Sequence, residues 1–532
     1  MSKFSRDLHF PGRSPIRALG GMAATSHPLS TLAAIEMLRD GGNAMDAAVA
    51  AAAVQAVVEP QSTGIGGDCF VLYSPKGNGE VLAFNGSGRA PMAATSDWYL
   101  SKGMTKIPTY GPHAVTVPGA IDAWCRLLQD HGRKGIAAAL AAAIRYAEEG
   151  YVVHDRVAFD WADSVENLES NEVAKEIFLP QGRALQAGEV HRQPALAATL
   201  RAIAAQGRVA FYEGEIAEDI VKTLRDLGGL HTKEDFAAAA GEYVTPIKTN
   251  YRGVDIYQMP PNNQGLTALI MLNILSGFDL ASLDPYSADR LHLEIEAGRL
   301  AYRDRDLYIA DPKKQNVPIE ELLSPEYAAR LRTAIRPDRA MRDLPPSLRE
   351  KSDTVYISVV DKDRNAVSFI NSTYHSFGSS VVTRKSGIVL QNRGSGFRLD
   401  PKHPNCIEPG KRPLHTIMPG MAVRNGRTMM PYGVMGGDYQ PFGHVRLVTN
   451  VVDFEMDVQA ALDQPRVFHD GTTVLVERSV AAASLRGLQE RGHRCELAGD
   501  PHGGGQAVLI DWQRGSLTGG SDPRKDGCAL GY

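Results

Sequence analysis

A hairpin with an abrupt beginning constrains this chain more than any other feature. From about Arg336 to Asp353 the segment PDRAMRDLPPSLREKSD carries adjacent prolines and many charges, and it reads as an exposed, mobile linker. At Thr354 the pattern turns at once to strand. Val355-Tyr356-Ile357-Ser358-Val359 and Ala366-Val367-Ser368-Phe369-Ile370 flank the polar turn Asp361-Lys362-Asp363-Arg364-Asn365, which predicts an antiparallel pair closed by a short loop. With Asp363 at its centre, Thr354 faces Ser372, so the register alone sets one hydroxyl beside another.

That pairing has two readings. Threonine is common in strands, and cross-strand hydroxyl pairs are often only structural. Cleavage of the Asp353–Thr354 bond would instead give Thr354 a free α-amino group beside its hydroxyl, and such a pair can act as general base and nucleophile.

The rest of the chain supplies a large mixed fold. Its 532 residues exceed the usual size of one small domain, and 43% hydrophobic with 22% charged residues is ordinary for a globular protein. Lys plus Arg is 57 against 61 Asp plus Glu, a net charge of −4, which argues against a nucleic-acid partner. The cysteines, Cys69, Cys125, Cys406, Cys495 and Cys528, are scattered and never spaced CxxC, so neither a disulfide framework nor a zinc site is expected. The N-terminal stretch has no apolar signal core, and the low-polarity run from Ala47 to Val58 is too short to span a bilayer; a cytoplasmic protein without a membrane partner is expected.

Helices are predicted from Pro28 to the Gly41-Gly42 stop, from an Asn43 cap to Val58, and at Ile136–Glu149, Ala195–Gln206, Glu215–Leu227, Leu266–Leu275, Asp289–Tyr308, Val458–Gln464 and Ala481–Arg491. Strands are predicted at Cys69–Tyr73, Val81–Phe84, Val254–Met259, Thr354–Val360, Ala366–Ser372, Gly387–Leu390, Met421–Val423 and Ala507–Ile510. Glu294 and Glu296 stand two apart on one helix and do not share a face. His493, Cys495 and His502 lack metal-ligand spacing and read as surface or loop residues. Gly64, Gly66 and Gly67 lack the order of a dinucleotide fingerprint.

The run DTVYISVVDKDRNAVSF resembles the start of the small subunit of the γ-glutamyltransferases, a branch of the N-terminal nucleophile hydrolases. Further matches extend over nearly the whole chain: the stretch from HPLSTLAAIEMLRDGGNAMDAAV to STGIGGDCFVLY, then AVTVPGAIDAW, MPPNNQGLTALIMLNIL, EAGRLAYRDRDLYIADP, KRPLHTIMP, GVMGGD and DPRKDGCALGY. The resemblance implies an α+β, four-layer αββα sandwich. It also implies a precursor cut between Asp353 and Thr354 into a large part, residues 1–353, and a small part, residues 354–532, which together form one fold. It makes Thr354 the nucleophile, its own amine the base, Ser372 a hydroxyl contacting that amine, and Gly436 and Gly437 the donors of an oxyanion hole. No metal or organic cofactor is implied. The partners would be a small amide substrate and the two chains of one precursor, with a homodimer of such pairs left open.

The chain departs from the family pattern in the substrate site. Ser96 stands where the family has an Arg for the α-carboxylate, and Gly396 stands where it has an acid for the α-amino group. Tyr374 replaces an Asn, and His415 and Thr416 replace consecutive serines. The partner for a substrate ammonium is gone, while a cation, Arg393, has entered the same loop. The expected substrate therefore lacks an α-amino group but carries a carboxylate, with Arg393 as its bidentate partner and Tyr374, His415, Thr416 and Arg89 as further pocket candidates. Each has a plainer reading: Arg393 as an internal ion pair, Arg89 as a structural residue, His415 as a loop hydrogen bond, Tyr374 as a core aromatic. The pattern is similar to the branch that includes oxamate amidohydrolase. A glutathione hydrolase or γ-glutamyltransferase, a cephalosporin-type acylase, and a non-catalytic relative that binds a small acid are the alternatives.

Overall fold

The computed structural model describes residue 9, residues 12–342 and residues 353–532. Most of the expected linker, together with Lys351 and Ser352, lies outside the described residues, as does the side chain of Asp353.

Two seven-stranded sheets form the centre. One runs, in spatial order, Ala529–Gly531, Met22–Ala24, Asp353–Val360, Ala366–Tyr374, Asp68–Ser74, Leu82–Gly86 and Glu242–Val244. The other runs Ile16–Ala18, Ser516–Ser521, Gly504–Asp511, Arg427–Met435, Gly420–Arg424, Val254–Gln258 and Ile247–Tyr251. Residues from both sides of Asp353 contribute strands to each sheet.

The layering follows from the two-residue period of the strands. In the Asp353–Val360 strand, Ile357 and Val359 join a core shared with the helices Pro28–Arg39, Ala44–Val58, Ala120–His131, Gly135–Glu149 and Pro194–Gln206. Tyr356 and Val360 face the opposite way, into a core between the sheets that includes Phe70, Ile370, Met421, Met435 and Val508. A third core packs the second sheet under Gly265–Leu275, Ala288–Tyr308 and Gln440–Val452. The order is helix, sheet, sheet, helix. With both faces covered, the central strands carry the near-continuous apolar runs seen in the sequence.

Local signals hold where they are strongest. Pro28–Arg39 begins at the proline, and Asn43 with Asp46 forms a reciprocal capping box on Ala44–Val58, all fifteen of whose residues are buried. One expectation fails: Gly387–Leu390 forms only isolated bridges, Val389 to Val382 and Leu390 to Gly66. In the described start of the expected linker, residues 336–339 are exposed, the Met341 N–H donates to Glu296 Oε2 at 2.7 Å, and the Ala340 N–H donates to the Arg491 carbonyl at 2.7 Å. The strand Arg427–Met435 was not expected, because Pro431 sits at its middle. Pairing with Gly504–Asp511 starts only at Tyr432, so the missing N–H interrupts no ladder there.

Candidate active site

The hairpin has the expected register. Val355 pairs with Asn371 and Val360 with Ala366, but Asp353 pairs with Tyr374, so the Ala366–Tyr374 strand gains one residue opposite Thr354. This bulge leaves Thr354 Oγ1 3.1 Å from Ser372 Oγ, both side chains buried. Ser372 Oγ also accepts the Tyr374 N–H at 2.9 Å. The loop is shaped by Asp361, whose carboxylate accepts the N–H groups of Asp363, Asn365 and Ala44.

Tyr374 takes φ 83°, in the left-handed region that a bulky residue adopts at a cost. The turn sets its ring against the Arg393 guanidinium, 3.6 Å from the ring centroid. Arg393 Nη1 donates to Thr416 Oγ1 at 2.9 Å. Arg393 is buried behind Tyr374, and it braces that ring and Thr416.

Gly436 and Gly437 follow the Arg427–Met435 strand with φ 115° and 58°. A Cβ on Gly436 would stand 2.8 Å from Gly503 Cα, so glycine is required there by both backbone and space. The turn is held by a network that sequence reasoning missed. Gln264 Nε2 donates to the carbonyls of Thr416 at 2.7 Å and Gly437 at 3.0 Å, and its Oε1 accepts from Arg305 Nη1 at 3.0 Å. Arg305 also pairs with Asp438 and Asp306, and the Tyr302 hydroxyl donates to the Asp438 carbonyl. PPNNQG, in the matched segment, was the available signal, but nothing in it points to these partners.

A cleft of about 50 Å3 lies among Tyr374, Gly396, Thr416, Asp438, Arg305 and Arg398. It joins three of the loops singled out in the sequence, whereas two larger cavities, of 290 and 450 Å3, lie elsewhere.

His415 and Arg89 are placed apart from it. His415 Nε2 donates to Asp68 Oδ2 at 3.0 Å, and Asp68 Oδ1 accepts from the N–H groups of Gly88 and Gly119 and from Gln391. Burial, reinforced by the positive charge of Arg393, lowers the His415 pKa to about 4, so the ring is neutral at pH 7. Its bonding matches the plainer reading, a loop tie. Arg89 lines the 290 Å3 cavity, 3.6 Å from both Asp311 and Glu242, and donates to the Gly410 carbonyl. Its neighbours make it an internal ion pair.

Glu294 pairs with Arg290 and Arg446, while Glu296 pairs with Arg299. His493 and His502 are buried rather than on the surface; His493 packs against His292 and His502 against Tyr439. Among the described residues no group of three or more His, Cys, Asp or Glu is placed to hold a metal ion, and no helix is long and apolar enough to cross a membrane.

Solved structures share this architecture. A cephalosporin acylase from Bacillus halodurans superposes with a TM-score of 0.93 at 41% identity, covering 100% of this chain and 99% of its own. The γ-glutamyltranspeptidase of Helicobacter pylori matches 60% of this chain and 92% of its own, with a TM-score of 0.57 at 33% identity. The fold is that of an N-terminal nucleophile hydrolase, and the chain is an enzyme of the amide-hydrolysing and acyl-transferring kind. Residues 30–532 match the family model described as gamma-glutamyltranspeptidase, and the chain belongs to that family. The glutathione hydrolase-like YwrD proenzyme of Bacillus subtilis is 39% identical over 96% of this chain and 98% of its own length. The oxamate amidohydrolase proenzyme of Klebsiella pneumoniae is 37% identical over 96% and 98%.

Proposed function

We propose that this chain is the precursor of an N-terminal-threonine amidohydrolase, cut between Asp353 and Thr354 into chains of residues 1–353 and 354–532. The observation that carries the proposal is the buried Thr354–Ser372 hydroxyl pair, 3.1 Å apart and hydrogen-bonded through Ser372 Oγ to the N–H of Tyr374, a residue that lines a small polar cleft. Relatives named as proenzymes support the cut. Once free, the Thr354 amine has an ordinary pKa of about 7.7–8.0, suited to accepting a proton near neutrality.

In the mechanism, Thr354 Oγ1 adds to the amide carbonyl while its proton passes to the α-amine. The N–H groups of Gly436 and Gly437 hold the resulting oxyanion. The C–N bond breaks, and the amine returns the proton to the departing nitrogen. Water then cleaves the acyl ester and regenerates the threonine. Ser372 orients the nucleophile.

The substrate is a small amide that bears a carboxylate and lacks an α-amino group, as oxamate does. Gly396 supplies no acid for an ammonium, and the cleft is far below the size of drug-binding pockets. The five unpaired thiols support a cytoplasmic setting. The similarity to the cephalosporin acylase favours a second reading, hydrolysis of a larger N-acyl substrate, and the YwrD relative keeps glutathione hydrolysis as a third.

Mass spectrometry of the purified protein should find two chains, the second beginning at Thr354, and Thr354→Ala should abolish both cleavage and turnover. A fully active single chain would refute the nucleophile assignment. Side-by-side assays of oxamate, a cephalosporin-type amide and γ-glutamyl-p-nitroanilide separate the substrate readings; strong γ-glutamyl turnover would defeat the charge argument.

A further inference from the structure

The loop Gly396–Cys406 carries charge that the mechanism does not use. Phe397 and Leu399 are buried in an apolar cluster with Ala90, Ala94 and Tyr99. Arg398 lies between these two anchors, is only half-buried, and lines the cleft beside Tyr374 and Thr416. Its backbone is secured at both ends: the N–H donates to the Asn405 carbonyl at 3.0 Å, and the carbonyl accepts the Ile407 N–H at 3.0 Å. The loop is also tied across the cleft, since Asn405 Nδ2 donates to the Gly396 carbonyl at 2.8 Å and its Oδ1 accepts the Leu414 N–H at 3.0 Å.

The other candidate cations are already neutralised or shielded. Arg305 pairs with Asp438 and Asp306. Arg393 lies behind the Tyr374 ring, and Arg89 stands in a different cavity between Asp311 and Glu242. The Arg398 guanidinium, by contrast, makes no hydrogen bond or ion pair among the described residues. Beside it in the same cleft is His403, whose Nδ1 accepts the Asn405 N–H at 3.0 Å. In the neutral ring the proton therefore sits on Nε2, which gives the cleft a second donor. Burial and the charge of Arg398 both lower the His403 pKa, which favours that neutral form. At Gly396 an added Cβ would meet only the Leu414 carbonyl, at 3.9 Å, so the cleft is open where a side chain is missing.

We propose that Arg398, assisted by His403, is the group that binds the substrate carboxylate, and that Arg393 acts on specificity indirectly by positioning Tyr374 and Thr416. A planar guanidinium beside a ring N–H matches the two oxygens of a small carboxylate. The proposal rests on the carboxylate-amide reading given above and assigns its recognition site.

The test uses the processed enzyme and oxalate, the dicarboxylate that oxamate hydrolysis would release, as a calorimetric probe. Oxalate affinity should fall about tenfold to hundredfold in Arg398→Gln and be partly restored in Arg398→Lys. In the same variants KM for oxamate should rise by a similar factor while kcat changes less than about threefold, because the contact is made equally in ground and transition states. Unchanged oxalate affinity in Arg398→Gln, or no oxalate binding by the wild type, overturns the proposal. Arg398-dependent oxalate binding without oxamate turnover upholds the carboxylate site and sinks the oxamate reading. Oxamate turnover with Arg398-independent binding does the reverse.

Discussion

Gln264→Ala tests whether the glycine turn must be held from behind. The side chain is fully buried and makes three hydrogen bonds, to the carbonyls of Thr416 and Gly437 and from Arg305 Nη1. The two neutral bonds contribute about 1 kcal/mol each and the charged one about 1.5–3 kcal/mol, so about 3.5–5 kcal/mol of interaction is lost. Water entering the vacated space restores part of this, which leaves an expected destabilisation of about 2–4 kcal/mol. The larger effect should be on rate. On the oxyanion role proposed for Gly436 and Gly437, losing one donor outright costs about 10²–10³ in kcat, and loosening the turn should cost about 10–100-fold. Gln264→Glu keeps the acceptor for Arg305 but sets a carboxylate against two carbonyl oxygens, so it should do no better than alanine. The assay is kcat and KM on the cleaved enzyme, with the fold checked by circular dichroism. If both variants retain kcat within threefold, the turn does not depend on Gln264 and the network is merely structural.

Two further outcomes are expected. Glu59 is buried beside Ser26, Gln55 and Lys525; burial raises its pKa from the ordinary 4.5 to about 7, with the hydrogen bond from Ser26 pulling the other way. The folded state thus holds a proton that the unfolded state releases at lower pH. The associated stability, about 3 kcal/mol, is fully present below about pH 4.5 and lost as pH rises through about 7. Glu59→Gln should flatten the dependence of melting temperature on pH between 5 and 8 and be the more stable form at pH 8; an unaltered slope would refute this. Arg89→Gln should leave kcat/KM within threefold and cost about 1 kcal/mol of stability, since its pairs are partly exposed and 3.6 Å long. A tenfold rise in KM would return Arg89 to the substrate site.

What could be read from the sequence depended on how local the determining forces were. The register that brings Thr354 to Ser372 was legible, because two apolar runs set symmetrically about a five-residue polar turn leave few pairings open. The bulge that completes the contact was not, as it depends on how Tyr374 turns out of the strand. The Arg427–Met435 strand was hidden by Pro431, whose harmlessness depends on a neighbour that pairs only from Tyr432 onward. Charge in the Arg393 loop was visible, but not the side of the loop it occupies; burial behind Tyr374 decides that. Gln264, Arg305 and Asp438 are far apart in sequence and share no periodicity, so nothing short of the folded chain could join them. His493 and His502 read as surface or loop residues; both do lie in loops, but the atoms that bury them come from distant segments.

The interleaving of strands also bears on how such an enzyme can be made. The Asp353–Val360 strand lies between Met22–Ala24 and Ala366–Tyr374, and the C-terminal Ala529–Gly531 strand closes against Met22–Ala24. While the backbone is continuous, these strands find one another within a single molecule, at an effective concentration set by the tether. After a cut before Thr354 the same encounter becomes bimolecular, and its yield depends on dilution. Neither fragment owns a complete sheet, so separation and unfolding would be one event. Denatured two-chain enzyme should therefore recover poorly at low concentration, whereas the intact Thr354→Ala precursor refolds independently of concentration. On this view the precursor is a device for assembly, and cleavage is the step that makes assembly hard to repeat.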